Sequence, residues 1–376
     1  MTDQGRTPEW AEPGQPGAFA STVRKGVEGG HDGLPGTAQS APGGGTAHRP
    51  LPPIEEYVAG VRAGDRVMLA RAITLIESNA PAHADHARGV LTRLLPFSGN
   101  ALRVGVTGVP GAGKSTFIEA LGLFLTGQGH KVAVLAVDPS SSISRGSVLG
   151  DKTRMERLAR DERCFIRPSP SSGNLGGVAR TTRETMVLCE AAGYDVILVE
   201  TVGVGQSEIT VRSMVDLFLL LLITGAGDEL QGIKRGVMEL ADLVAINKAD
   251  GENRARADAT RAEFAHAMHF LTPATEGWTP PAVTCSGLTG EGIPALWAKV
   301  EEFRAQTAAS GVLGKRRATQ LLAWLHGLME EHLRNMFYTH PSVAGRLAAL
   351  EQEVVAGTIT VAAAAQELMH HFEQRT

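Results

Sequence analysis

Cysteine is nearly absent from this chain. Three residues in 376, Cys164, Cys189 and Cys285, are too few and too scattered for a disulfide framework or a Cys-based metal cage. The sequence predicts them as buried small residues in a reducing compartment. An excess of one charge is missing as well. Against 36 Lys and Arg stand 40 Asp and Glu, a formal net charge of -4, so the global basic field of a nucleic-acid binder is excluded. Long apolar runs are also lacking. The longest, Leu217 to Ile223, falls far short of a membrane span and suits a buried parallel strand. The N-terminus carries Asp3, Glu9 and Glu12 and no apolar core segment, which fits neither a secretory signal nor a transit peptide. A cytoplasmic chain with no membrane or nucleic-acid partner is expected.

Hydrophobic residues at 43% supply ample core, and the length suits one large domain with helical additions. Residues 1–53 contain 11 Gly and 8 Pro without apolar periodicity, a composition that predicts a disordered tail. An N-terminal helical extension is expected over 54–100. In it Asp65 caps a helix bearing Leu69, Ile73 and Ile76, a second helix runs through Val90 and Leu94, and Pro96 to Asn100 breaks the pattern. From 101 to 305 short apolar strands at 103–107, 132–137, 196–200, 217–223, 243–247 and 282–285 alternate with helical stretches. Their spacing demands crossovers and predicts an α/β fold, a mostly parallel sheet with helices on both faces. Residues 306–376 return to helix, at Lys315–Tyr338, Val343–Val355 and Val361–Phe372. This apolar arm either packs on its own domain or is exchanged in a homodimer.

Gly108-Val109-Pro110-Gly111-Ala112-Gly113-Lys114-Ser115 satisfies Gly-x-x-x-x-Gly-Lys-Ser, with Thr116 following. Glycines let successive backbone N–H groups turn inward around an anion, and the next helix aims its positive end at the same point. Lys114 then reaches the β and γ phosphates, and the Ser115 hydroxyl ligates Mg²⁺. The flanks agree with a P-loop NTPase: a β-branched strand precedes the loop and an amphipathic stretch follows it. In parallel sheets ligands sit at the carboxyl ends of strands, and the other polar motifs fall at such ends.

Asn247-Lys248-Ala249-Asp250 follows an apolar strand. An Asp in an Asn-Lys-x-Asp signature accepts from guanine N1–H and the exocyclic amine, two donors that adenine does not offer in that arrangement. Ser286-Gly287, after the last strand, is expected to complete the base pocket through backbone N–H. Glu200-Thr-Val-Gly203 occupies the slot of an Asp-x-x-Gly switch, with Gly203 approaching the γ-phosphate and Glu200 keeping a carboxylate for Mg²⁺. Asp138 and Asp151 could hold Mg²⁺ through water or orient the attacking water; each is equally open to reading as a turn or loop residue.

Taken in order, the P-loop, Val-Asp138-Pro-Ser-Ser, Asp151-Lys-Thr-Arg154, Pro170 to Gly177, Glu200 to Ser207 and Asn-Lys-Ala-Asp250 resemble the MeaB/ArgK GTPases. That group includes the human mitochondrial relative defective in cobalamin A-type methylmalonic aciduria. The likeness runs from about residue 55 onward. It implies a homodimeric GTPase, using GTP/GDP and Mg²⁺, that gates adenosylcobalamin loading onto an acyl-CoA mutase such as methylmalonyl-CoA mutase and helps eject damaged cofactor. Carried over by position, Lys114, Asp138, Asp151 and Glu200 form the catalytic set, and Ser115 with the three carboxylates the Mg²⁺ set. Segments 138–154 and 200–212 look like switches I and II. Residues 224–234 look like a third switch that communicates with the mutase, with Lys234 a candidate to reach the nucleotide.

Two other functions share part of this pattern. A nickel-insertion-type metallochaperone GTPase would hold metal with clustered His or Cys. Here the cysteines never pair and the only adjacent histidines are His370-His371, which read as surface helix residues. For a kinase of a transport protein, the activity attached to the ArgK name, no residue stands out as a phospho-acceptor. The Asn-Lys-x-Asp signature also argues for GTP over ATP.

Overall fold

The computed structural model describes residues 51–78, 80–137, 155–168, 175–201, 207–224 and 235–373. Residues 1–50 of the Gly/Pro-rich tail, Asp138, Asp151, Gly203, Gln206 and the segment 225–234 with Lys234 lie outside the described residues.

Three helices, α1 (Ile54–Arg62), α2 (Arg66–Ile76) and α3 (Pro81–Leu94), precede the sheet. Asp65 caps α2, its carboxylate accepting from the backbone N–H of Val67 at 2.7 Å and of Met68 at 3.2 Å, which satisfies two otherwise orphaned donors. Leu69, Ile73 and Ile76 beyond the cap are buried, so the helix presents one apolar stripe to the core it shares with its neighbouring helices.

The strands are β1 (Leu102–Gly108), β2 (Val132–Val137), β3 (Cys164–Arg167), β4 (Val196–Thr201), β5 (Leu217–Ile223), β6 (Leu243–Asn247) and β7 (Ala282–Thr284). They form one sheet in the order β3-β2-β4-β1-β5-β6-β7, and every pairing is parallel. Six of the seven follow the sequence pattern. The addition is β3, a four-residue edge strand ending in Arg167. Along β5, Leu217, Leu219 and Leu221 join one core while Phe218, Leu220 and Leu222 join the other. With both faces buried the strand has no need of alternation, and the run reads as continuously apolar.

Helices α4 (Lys114–Gly127), α5 (Glu156–Ala159), α6 (Leu175–Ala191), α7 (Ser207–Arg212), α8 (Arg235–Met238), α9 (Arg254–Met268) and α10 (Ile293–Ala309) connect the strands and follow the sheet. Phe117 and Leu121 of α4 and Trp297 and Phe303 of α10 share one core. Each fully buried aromatic contributes about 1.5–3 kcal/mol relative to exposure. The C-terminal helices are α11 (Val312–Thr339), α12 (Pro341–Val355) and α13 (Val361–Glu373). The start of α11 is tied to the sheet by ionic contacts that the sequence reading missed. Arg317 pairs with fully buried Asp216 at 2.6 Å, and Arg316 and Arg212 both reach fully buried Asp242. Gln320 donates to the Val215 carbonyl at 2.9 Å. Farther along α11, Leu321, Leu322, Leu325, Met329, Leu333 and Met336 are exposed.

All three cysteines are free and buried. Burial pushes the Cys164 and Cys285 thiols up to about 12 and shifts Cys189 in the same direction, so at pH 8 each stays protonated. No thiol is therefore expected to react with Ellman's reagent in the folded protein at pH 8, and three should react in denaturant. Rapid labelling of the native chain would contradict this packing.

Candidate functional site at the carboxyl ends of the strands

The loop between β1 and α4 rises from the centre of the sheet. Gly113 stands before α4 at φ 82°, a left-handed conformation that favours glycine. A Cβ there would also come within 2.9 Å of Asn247 Nδ2. Pro110, Gly111 and Thr116 are exposed, Val109, Gly113, Lys114 and Ser115 half-buried, and Gly108 and Ala112 buried. Lys114 folds back over the loop, its Nζ donating to the carbonyls of Gly108 at 2.9 Å and Val109 at 3.3 Å. Burial pushes the Lys114 ammonium below its ordinary value, and the carboxylates of Glu200 and Glu208 act against that shift. Glu208, on α7, is fully buried.

Glu200 reaches the loop because β4 lies beside β1, with Glu200 opposite Val106. Its Oε1 accepts from the Ser115 hydroxyl at 3.0 Å. One step on, Thr201 donates to Thr107 Oγ1 at 2.9 Å. Hydroxyl and carboxylate oxygens, 85 residues apart in sequence, thus meet at the foot of the loop. β2 flanks β4 on its other side, with Val137 opposite Thr201.

The second half of the site is built on β6 and β7. Asn247, at the end of β6, donates through Nδ2 to the Ala112 carbonyl at 2.8 Å and accepts at Oδ1 from the Gly287 N–H at 3.0 Å. One buried amide therefore joins the P-loop to the loop after β7. Gly287 sits so close to α4 that a Cβ would lie 2.9 Å from the Phe117 nitrogen, a spacing only glycine permits. Ala249 donates to the Cys285 carbonyl at 3.0 Å. The Ser286 hydroxyl donates to the Asp250 carboxylate, and the Thr289 N–H to Ser286 Oγ at 3.2 Å. The sequence reading assigned Ser286 a backbone role, and the structure adds this side-chain contact. Lys248 has φ 58°, the one non-glycine residue at positive φ among the described residues. Such a conformation costs on the order of 1–3 kcal/mol and persists only where the surroundings hold it.

The structure thus gathers Gly108 to Thr116, Glu200, Asn247 to Asp250, Ser286 and Gly287 at one end of a parallel sheet. Two lysines, three hydroxyls and two carboxylates belong to that set. Among the described residues no group of three or more His, Cys, Asp or Glu is placed to hold a metal ion, and no helix is long and apolar enough to cross a membrane.

Residues 69–342 match the family model described as "Methylmalonyl Co-A mutase-associated GTPase MeaB". A putative GTPase of Caulobacter vibrioides is 54% identical over 310 residues, covering 82% of this chain and 95% of that protein. The mitochondrial methylmalonic aciduria type A homolog of Mus musculus is 48% identical over 332 residues, covering 86% of this chain and 80% of that protein. Among solved structures, one described as an LAO/AO transport system kinase superposes with a TM-score of 0.69 at 40% identity, covering 85% of this chain and 98% of its own.

Proposed function

The chain belongs to the MeaB family of GTPases, and from that premise we propose that it is a GTP-hydrolysing chaperone for an adenosylcobalamin-dependent acyl-CoA mutase such as methylmalonyl-CoA mutase. In this role it gates loading of intact cofactor onto the mutase and helps reactivate it. The cytoplasm is its compartment, and neither membrane nor nucleic acid is a partner. The reading is supported by the family description and, above all, by the Asn247 amide, which joins Ala112 of the P-loop, 135 residues away, to Gly287 beside the Asp250–Ser286 pair. A phosphate cradle and a guanine-reading carboxylate held as one unit suit a protein that responds to which guanine nucleotide is bound.

In this site the P-loop N–H groups and Lys114 bind the phosphates, Asp250 reads the base, and Gly203 follows the γ-phosphate. Asp138, Asp151 and Glu200 position the attacking water for in-line displacement that yields GDP and phosphate. The all-oxygen pair of Ser115 and Glu200, 3.0 Å apart, fits a hard divalent cation. Mg²⁺ bound with GTP would be held by these residues together with Asp138 and Asp151, and would offset phosphate charge. The exposed apolar stripe on α11 supports a homodimer joined through the C-terminal helices.

Val204 rather than a glutamine follows Gly203, and Gln206 stands two residues later. The position from which a water-orienting glutamine acts after Asp-x-x-Gly is therefore unfilled in the sequence. Slow intrinsic turnover is expected, accelerated roughly tenfold or more by the mutase. GTP and ATP hydrolysis by the purified protein, with and without saturating mutase from the same source, tests this. GTP-selective turnover that rises with mutase supports the chaperone, and a rate indifferent to mutase refutes it.

A further inference from the structure

Asn253 closes the short 3-10 turn Gly251–Asn253 that runs directly into α9, its own backbone already helical at φ -80° and ψ -9°. Its side chain makes no capping contact with α9. Its Nδ2 instead donates to the Lys248 carbonyl at 2.7 Å, and its Oδ1 accepts from the Thr224 hydroxyl at 2.8 Å. The amide orientation is settled by chemistry, because a backbone carbonyl can only accept and so must face the NH₂. This amide therefore holds Lys248, the one left-handed non-glycine residue among those described.

We propose that Asn253 is a positioning residue for base selection. By fixing the Lys248 carbonyl it locks the turn from Asn247 to Asp250, and so aims the Asp250 carboxylate at the edge of guanine. The rest of the turn is already held. Asn247 is anchored on Ala112 and Gly287, Ala249 on Cys285, and the Asp250 side chain on Ser286. The Lys248 peptide is the remaining degree of freedom, and Asn253 is the side chain that closes it. Through Thr224 the same amide ties the turn to the end of β5, so base reading is braced against the central sheet. The inference rests on the guanine-site reading of Asp250 and adds a residue to it.

The test compares GDP with IDP, which lacks only the 2-amino group, by calorimetry on the full chain. Removing one hydrogen bond that aims Asp250 should cut the GDP-over-IDP preference of Asn253→Ala about three- to tenfold. Pyrophosphate affinity, read at the P-loop alone, should stay at the wild-type value. Asn253→Asp keeps the shape and the acceptor for Thr224 but sets an oxygen against the Lys248 carbonyl. It should lose the preference as well, and it serves as the readout if the alanine variant unfolds. GDP and IDP weakening in parallel, or the preference surviving in the folded variants, would overturn the proposal while leaving the base site standing. A wild-type chain that does not prefer GDP to IDP would overturn the base-site reading and this proposal with it.

Discussion

Lys114→Ala is expected to abolish tight nucleotide binding and leave the fold intact. The ammonium lies against the Gly108 and Val109 carbonyls, in a loop that reaches α4 through the left-handed Gly113. Removing a charged, hydrogen-bonded partner of a phosphate costs about 2–5 kcal/mol, or about 30- to 4,000-fold in Kd for GTP and GDP. Stability should scarcely change. Burial pushes this ammonium toward its neutral form, with Glu200 and Glu208 opposing, so the unliganded protein holds the charge at a cost. Alanine gives up two backbone contacts and that cost together. The melting temperature should then shift by no more than about 1–2 °C, equivalent to about 1 kcal/mol for a chain of this size. Fluorescent-nucleotide titration and thermal unfolding separate the two effects. Undiminished GTP affinity would refute the phosphate assignment. Lost affinity accompanied by a collapsed melting temperature would show that the lysine serves the core.

The contrast between Lys114 and Asp216 explains how much of this molecule was legible in its sequence. Lys114 belongs to a loop whose geometry is written locally: glycines at set spacing, a strand before, a helix after. The parallel sheet was legible for a similar reason, since runs such as Leu217–Ile223 are apolar on both faces only when both faces are covered. Asp65 could be read as a cap because its partners are two and three residues away. Asp216 meets Arg317 across 101 residues and Asp242 meets Arg316 across 74. Each is a lone acid before a strand, with no local pattern to announce it. The Asp250–Ser286 and Asn253–Lys248 contacts fall between these cases. The Asn-Lys-x-Asp signature names the carboxylate, yet which hydroxyl and which amide hold it depends on β7 lying beside β6 and on how α9 begins.

Asp250→Asn should shift nucleotide preference from guanine toward xanthine. The carboxylate offers only acceptors, matching the N1–H and 2-amino donors of guanine, whereas an amide presents one acceptor and one donor. Xanthine carries a carbonyl where guanine has the amine, so the new N–H finds a partner there and meets a like donor in guanine. A matched pair of base-edge hydrogen bonds is worth about 1–3 kcal/mol of discrimination. GDP affinity should therefore fall about 5- to 150-fold and XDP affinity should rise, reversing the order of the two. The Ser286 contact sharpens the outcome. That hydroxyl donates to the Asp250 carboxylate, so in the variant it holds the single amide oxygen and leaves the NH₂ directed at the base. Ser286→Ala in the same background frees the amide to rotate, and should blunt the XDP gain without restoring GDP binding. Calorimetric titration of GDP and XDP into the three proteins reads this directly. An Asp250→Asn variant with wild-type preference for GDP would place guanine recognition elsewhere. A reversal insensitive to Ser286 would keep Asp250 as the reader and remove the hydroxyl from its orientation.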